Sequence, residues 1–122
     1  MRIGLALGSG GPRGLAHVGV LKVLLSHGIR PDIIAGTSIG ALIGGAYATL
    51  GNVEDVECLA YSSDMKAVLS ALFDPSMRTG LIKGQKAMQF LREKIGDPDI
   101  ASLSPKFFAV ATDISTGEPV VF

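Results

Sequence analysis

Ile33-Ile34-Ala35-Gly36-Thr37-Ser38-Ile39-Gly40-Ala41-Leu42-Ile43-Gly44 is an apolar run broken by a single glycine-flanked serine. The paired isoleucines suit a short buried strand, and the small and apolar residues from Ile39 to Leu50 suit a helix. Gly36-Thr37-Ser38-Ile39-Gly40 therefore falls where strand becomes helix. A sharp turn at that junction forces the serine backbone into strain, and glycines two residues to either side let neighbouring Cα atoms pass without side chains. The Ser38 hydroxyl is then pushed outward, so hydrolysis of an ester is the first functional expectation.

A second glycine cluster, Gly8-Ser9-Gly10-Gly11-Pro12-Arg13-Gly14, follows the apolar strand candidate that ends at Leu7 and precedes a helical pattern. It supplies what such a serine needs. Attack on a carbonyl builds negative charge on its oxygen, and backbone N–H groups at a glycine turn or helix start can hold that charge. Loss of one such donor typically costs ~10²–10³ in rate. Pro12 has no N–H, so Gly10, Gly11 and Arg13 are the candidate donors of an oxyanion hole.

In order and spacing these two motifs resemble those of the patatin-like phospholipases, which carry a glycine-rich loop ending in Arg-Gly, then a helix, then Gly-x-Ser-x-Gly. The stretch Ala111 to Phe122 also resembles a strand, turn and strand of that family, so the likeness runs along almost the whole chain. It implies an α/β fold and a lipid acyl hydrolase of phospholipase or esterase type, with Ser38 as nucleophile. It also implies a Ser-Asp dyad whose aspartate lies in an Asp-Gly-Gly or Asp-Gly-Ala motif well downstream. No Asp-Gly pair occurs among the 122 residues. The expectation is that residues 1–122 form the N-terminal part of a patatin-like domain, with the glycine-rich loop at 8–14, the elbow at 36–40 and the base beyond residue 122. Without its base a serine hydroxyl is a weak nucleophile, so the isolated chain is expected to be a poor catalyst.

None of the seven aspartates present stands out as a substitute base. Asp113 follows the apolar run Phe107 to Ala111 and so sits near a strand end, but Asp before Ile-Ser-Thr-Gly is better read as a turn former. The two histidines, His17 and His27, both precede the serine, whereas the triad of an α/β-hydrolase places its histidine last. His27 beside Gly28 suits a helix end, and His17 reads as a packed or hydrogen-bonded helix residue.

Two rival readings come from other classes. Gly8-x-Gly10 after a first strand loosely imitates a dinucleotide fingerprint, with Asp32 as the ribose-binding acid. Arg13 occupies the place of the last glycine, however, and that reading leaves Ser38 and its glycines unused. The second rival is a non-catalytic patatin-like fragment that assembles into a homo-oligomer through an unfinished sheet edge.

Eleven basic and eleven acidic side chains cancel, and they are scattered, which offers no electrostatic footprint for nucleic acid. The single cysteine, Cys58, excludes an intrachain disulfide and reads as a small apolar filler of a helix. No metal or organic cofactor is implied, since His, Cys and acidic residues do not cluster at ligand spacing. The apolar run after Met1-Arg2 is too short for a signal peptide, so a cytoplasmic setting is expected, with peripheral contact to lipid. The uncharged stretch from Ile33 to Val53 is long enough to raise a membrane span, and Gly36, Gly40 and Gly44 recur at the spacing of membrane helix pairs. The turn chemistry within it favours a buried strand, elbow and helix instead.

The alternation of patterns predicts a mostly parallel sheet flanked by helices. Strands are expected over 2–7, 32–35, 106–111 and 119–122, and helices over 13–27, 39–50, 53–62, 65–72 and 84–95. The segments 73–83 and 97–105 read as irregular connections. Met65, Leu69, Leu72, Phe73 and Met77 are candidate acyl-chain contacts under the family resemblance, although core packing is the plainer reading for most of them.

Overall fold

A computed structural model describes the backbone of residues 1–73 and 80–122, and the side chains of these except 71–73, 80–84 and 86. Strand β1 (Gly4–Leu7) leads through a 3-10 turn (Gly11–Leu15) into helix α1 (Ala16–Ser26). Strand β2 (Ile33–Gly36) leads into α2 (Ile39–Leu50), which is followed by α3 (Val53–Tyr61), α4 (Ser63–Phe73) and α5 (Gly80–Ile95). A short 3-10 turn (Ile100–Ser102) then feeds β3 (Lys106–Thr112) and the hairpin partner β4 (Pro119–Val121). The sheet order is β1-β2-β3-β4, with the first two pairings parallel and the last antiparallel. This is the mostly parallel α/β sheet that the alternating pattern predicts.

Register follows from which side chains must be buried. Leu5, Ile34 and Phe107 stand abreast on one face, as do Leu7, Gly36 and Ala109 two residues on. That face receives α2, and the other helices gather about α2 rather than dividing between the two sides of the sheet. Val18 and Leu21 of α1, Ile39 and Ile43 of α2, Val56 of α3 and Met65 of α4 are almost fully buried in this single core. Each such side chain withdrawn from water contributes ~1.5–3 kcal/mol. The opposite face carries Ala6, Ala35 and Phe108 abreast, and Phe108 remains 39% exposed.

The glycines of α2 explain how closely it approaches the sheet. A Cβ at Gly40 would lie 2.6 Å from the Gly8 carbonyl oxygen and closer still to that of Leu7. One turn later, a Cβ at Gly44 would lie 2.9 Å from Ile34 Cγ2 and 3.2 Å from Leu7 Cδ1. The four-residue glycine spacing thus serves contact between helix and sheet. Among the described residues no helix is long and apolar enough to cross a membrane. The Ile33 to Val53 stretch divides instead into β2, a turn and α2.

Several boundaries differ from expectation for local reasons. The helix expected from Arg13 begins as a 3-10 turn and becomes α-helical only at Ala16. Gly11 has φ 57°, outside the right-handed helical region, so the turn that begins there is not α-helical. Ser62 is not the end of α3: its Oγ accepts from the Met65 N–H at 3.1 Å, which starts α4 as a separate helix. Helix α5 begins at Gly80 rather than Gly84, and Gly84 inside it costs about 1 kcal/mol relative to alanine, which a helix can absorb. Of the predicted connection 73–83, residues 74–79 lie outside the described residues.

Lys22 Nζ donates to both Glu57 carboxylate oxygens at 2.8 Å, tying α1 to α3 and holding the Lys22 ammonium above the usual lysine pKa. Cys58 is exposed on α3, contrary to the filler role expected of it.

Substituting the glycines separates close approach from mere helical context. Gly40→Ala places a methyl group against backbone atoms that cannot rotate away and should destabilise by about 3 kcal/mol, the upper part of the usual overpacking range. Gly19→Ala lies in α1 with nothing within 4 Å of the new Cβ, and should stabilise by about 0.5–1 kcal/mol. Urea unfolding of both variants reads the opposite signs directly.

Candidate active site

Because β1 and β2 run parallel with Leu7 beside Gly36, both chains leave the sheet at the same end and the same level. The carboxyl ends of parallel strands are where α/β sheets present their chemistry. From Gly36 the chain turns into α2 through Thr37 and Ser38, with Ser38 as the residue that caps the helix. Its backbone has φ 54° and ψ −126°, and it is the one non-glycine residue with positive φ among the described residues. Such a conformation costs of order 1–3 kcal/mol and survives only where its surroundings impose it.

The surroundings here are identifiable. The Ser38 carbonyl accepts from the N–H groups of Ala41 at 2.9 Å and Leu42 at 3.1 Å, which fixes the start of α2. Thr37 donates its N–H to the Leu7 carbonyl at 3.2 Å and its Oγ1 hydroxyl to the Val110 carbonyl at 3.0 Å. The turn is thereby pinned to the strands on both sides of β2. A Cβ at Gly36 would lie 2.5 Å from the Gly40 carbonyl oxygen, so the chain folds back on itself too tightly for any side chain there. Ser38 itself is exposed to solvent.

The glycine-rich loop lies against this turn. Gly40 meets the Leu7 and Gly8 carbonyls at the loop's beginning, and Gly14 meets Ile39 at its far end, where a Cβ would lie 2.9 Å from Ile39 Cγ1 and closer to Cγ2. Gly10 (φ 154°) and Gly11 (φ 57°) have positive φ, a region that glycine enters more cheaply than residues with a side chain. Arg13 sits exposed in the 3-10 turn, and among the described residues it has no carboxylate partner. The two glycine clusters, 26 residues apart at Gly14 and Gly40, thus form one neighbourhood at one end of the sheet.

Other candidates have structural tasks. Asp113 Oδ1 accepts from the Ser115 N–H at 2.7 Å, and the Asp113 carbonyl accepts from Gly117 N–H at 2.7 Å, so it shapes the β3–β4 turn as its sequence context suggests. Asp32 Oδ2 accepts from the Ile3 N–H at 2.7 Å at the amino ends of β1 and β2, away from the glycine-rich loop. It is therefore misplaced for the ribose-binding role of the dinucleotide reading. His27 donates from Nδ1 to the Val23 carbonyl at 2.8 Å and closes the end of α1. His17 donates from Nε2 to the Gly8 carbonyl at 2.8 Å. Met65 and Leu69 are buried in the core at 2% exposure. The side chains of Leu72 and Phe73, and all of Met77, lie outside the described residues.

Sequence reasoning missed Thr37 and the reach of His17. Thr37 bonds a strand 73 positions away, and nothing local announces that contact. His17 does carry a signal: it follows the loop by three residues on the next helix, close enough to reach back.

An exposed serine strained at a strand-to-helix turn beside a glycine-rich loop, on a mostly parallel sheet, marks this as an α/β protein with a tight serine turn at the carboxyl end of β2. More narrowly, residues 5–122 match the family model described as patatin-like phospholipase, and the chain belongs to that family. It is 38% identical over 122 residues to an uncharacterized NTE family protein of Mycobacterium tuberculosis, covering 99% of this chain and 33% of that protein. It is 40% identical over 119 residues to a patatin-like phospholipase domain-containing protein of Caenorhabditis elegans, covering 95% of this chain and 9% of the relative. A lysophospholipase of Candida albicans is 37% identical over 116 residues, covering 93% of this chain and 8% of the relative. The chain therefore spans about a third of the mycobacterial protein and less than a tenth of the other two.

The strain at Ser38 has a measurable consequence. Ser38→Gly removes the positive-φ penalty while adding unfolded-chain entropy, and should leave the protein about 1 kcal/mol more stable than Ser38→Ala. Urea denaturation of the two variants, compared with each other, checks the difference.

Proposed function

We propose that this chain carries the nucleophile and the oxyanion-binding loop of a serine acyl hydrolase acting on lipid esters. Ser38 Oγ attacks the ester carbonyl carbon as its proton passes to a carboxylate. The tetrahedral oxyanion is held by backbone N–H groups of the 8–14 loop. Collapse breaks the bond between acyl carbon and alcohol oxygen, the alcohol leaves with the proton, and water then hydrolyses the acyl-enzyme. The carboxylate is an aspartate outside residues 1–122, in keeping with the family resemblance.

The observation that carries this reading is the strained backbone of Ser38 beside the glycine loop, with Gly40 against the Leu7 and Gly8 carbonyls. Among the loop amides, Gly10 and Gly11 are favoured as donors. In a 3-10 turn capped by Gly10 the first i to i+3 bond takes the Arg13 N–H back to the Gly10 carbonyl. Arg13 then contributes chiefly through its exposed guanidinium, which suits a developing oxyanion or the phosphate of a phospholipid head group. Lipid esters are favoured as substrates because the family is that of patatin-like phospholipases and one relative is a lysophospholipase. A lipid substrate in turn favours peripheral contact with a membrane surface.

A fluorophosphonate probe applied to the full-length protein should label Ser38, and Ser38→Ala should abolish both labelling and ester hydrolysis. A folded wild-type protein that resists the probe would sink the proposal. Arg13→Ala should lower kcat/KM for a phospholipid by about tenfold, roughly 1.4 kcal/mol of transition-state stabilisation, and Arg2→Ala should not. Equal effects of the two substitutions would remove Arg13 from the site.

A further inference from the structure

The contact between His17 and Gly8 is unused by the hydrolase reading, yet it lies at the root of the loop that reading depends on. His17, partly buried near the start of α1, points Nε2 at the Gly8 carbonyl oxygen 2.8 Å away. A carbonyl can only accept, so Nε2 carries the hydrogen. The same oxygen lies close to Gly40, the residue two beyond Ser38, where an added Cβ would approach it to 2.6 Å. Gly8 O thus meets both the helix that follows the glycine loop and the helix that follows the serine.

A trans peptide sets its N–H opposite to its C=O, so fixing the Gly8 carbonyl fixes the plane of the Gly8–Ser9 peptide and the direction in which the chain enters Gly10 and Gly11. That matters because Gly8, Ser9 and Gly10 are exposed and glycine offers its backbone little resistance to rotation. Oxyanion donors act by being oriented before charge develops, and a donor that must first be ordered loses much of its effect. Gly14 against Ile39 anchors the far end of the loop. The hydrogen bond across nine residues anchors the near end.

We propose that His17 is a positioning residue that sets the orientation of the 9–11 amides through the Gly8 carbonyl, and that it takes no proton from Ser38. This rests on the serine-hydrolase reading. Glutamine and asparagine separate the role by reach: glutamine places an amide N–H near the position of histidine Nε2, whereas asparagine stops near that of Nδ1. In the full-length protein, H17N should slow fluorophosphonate labelling and lower kcat for p-nitrophenyl butyrate by about 10- to 100-fold, as an error near 1 Å in a catalytic arrangement does, with KM little changed. H17Q should stay within about threefold of wild type, a recovery a general base would not permit since an amide cannot accept the proton. Equal labelling rates for H17Q and H17N would overturn the inference while leaving the hydrolase reading intact, and so would a loss in H17N wholly matched by a fall in Tm. A folded wild type that does not label would remove the hydrolase reading and this inference together.

Discussion

The rest of the structure depends on the contact of Gly40 with the carbonyl oxygens of Leu7 and Gly8. Only a residue without a side chain permits it, and it sets how low α2 sits over the sheet. The height of α2 then fixes the turn that precedes it, because Gly36 is already packed against Gly40. Ser38 has little choice of backbone conformation between those two glycines, and its positive φ is the result. One steric condition therefore joins the close packing of a helix on a sheet to the exposure of a hydroxyl.

Strain of this size needs support, and the support is hydrophobic. Ile39, next to the strained serine, and Ile43, one turn further on, are essentially inaccessible to water, and Ile34 beneath them is equally so. Burial of three such side chains is worth several times the local penalty at Ser38. Thr37 adds direction to that adhesion. Its two hydrogen bonds, to Leu7 and Val110, attach the turn to a strand on each side. Cohesion supplies the energy, and hydrogen bonds supply the geometry.

The neighbourhood of Ser38 is built largely from main chain. Gly8 and Gly14 bring main chain rather than side chains against the residues that follow Ser38, and the histidines and Asp113 are occupied in holding backbone carbonyls or amides. Such a site is sparing of distinctive side chains, which is why its sequence signature consists of glycine spacing. The loop is held at its two ends by the hydrogen bond of His17 to Gly8 and by the close approach of Gly14 to Ile39.

Local chemistry by itself determined the order of strands and helices, the serine turn, the glycine loop and the turn role of Asp113, because each rests on residues within a few positions of one another. It erred where a boundary depended on neighbours: Gly84 was tolerated inside α5, Ser62 capped a new helix, and Cys58 faced outward from α3. The glycine repeat at 36, 40 and 44 was visible as a pattern, but what it packs against was not. Tertiary structure alone decided that Gly40 meets Gly8, that Thr37 reaches Val110, and that helices collect on the Leu7, Ile34 and Phe107 face. The physical reason is that spacing along a chain encodes torsional freedom and periodicity, whereas contact between distant segments is fixed only when sheet register and helix height are set together.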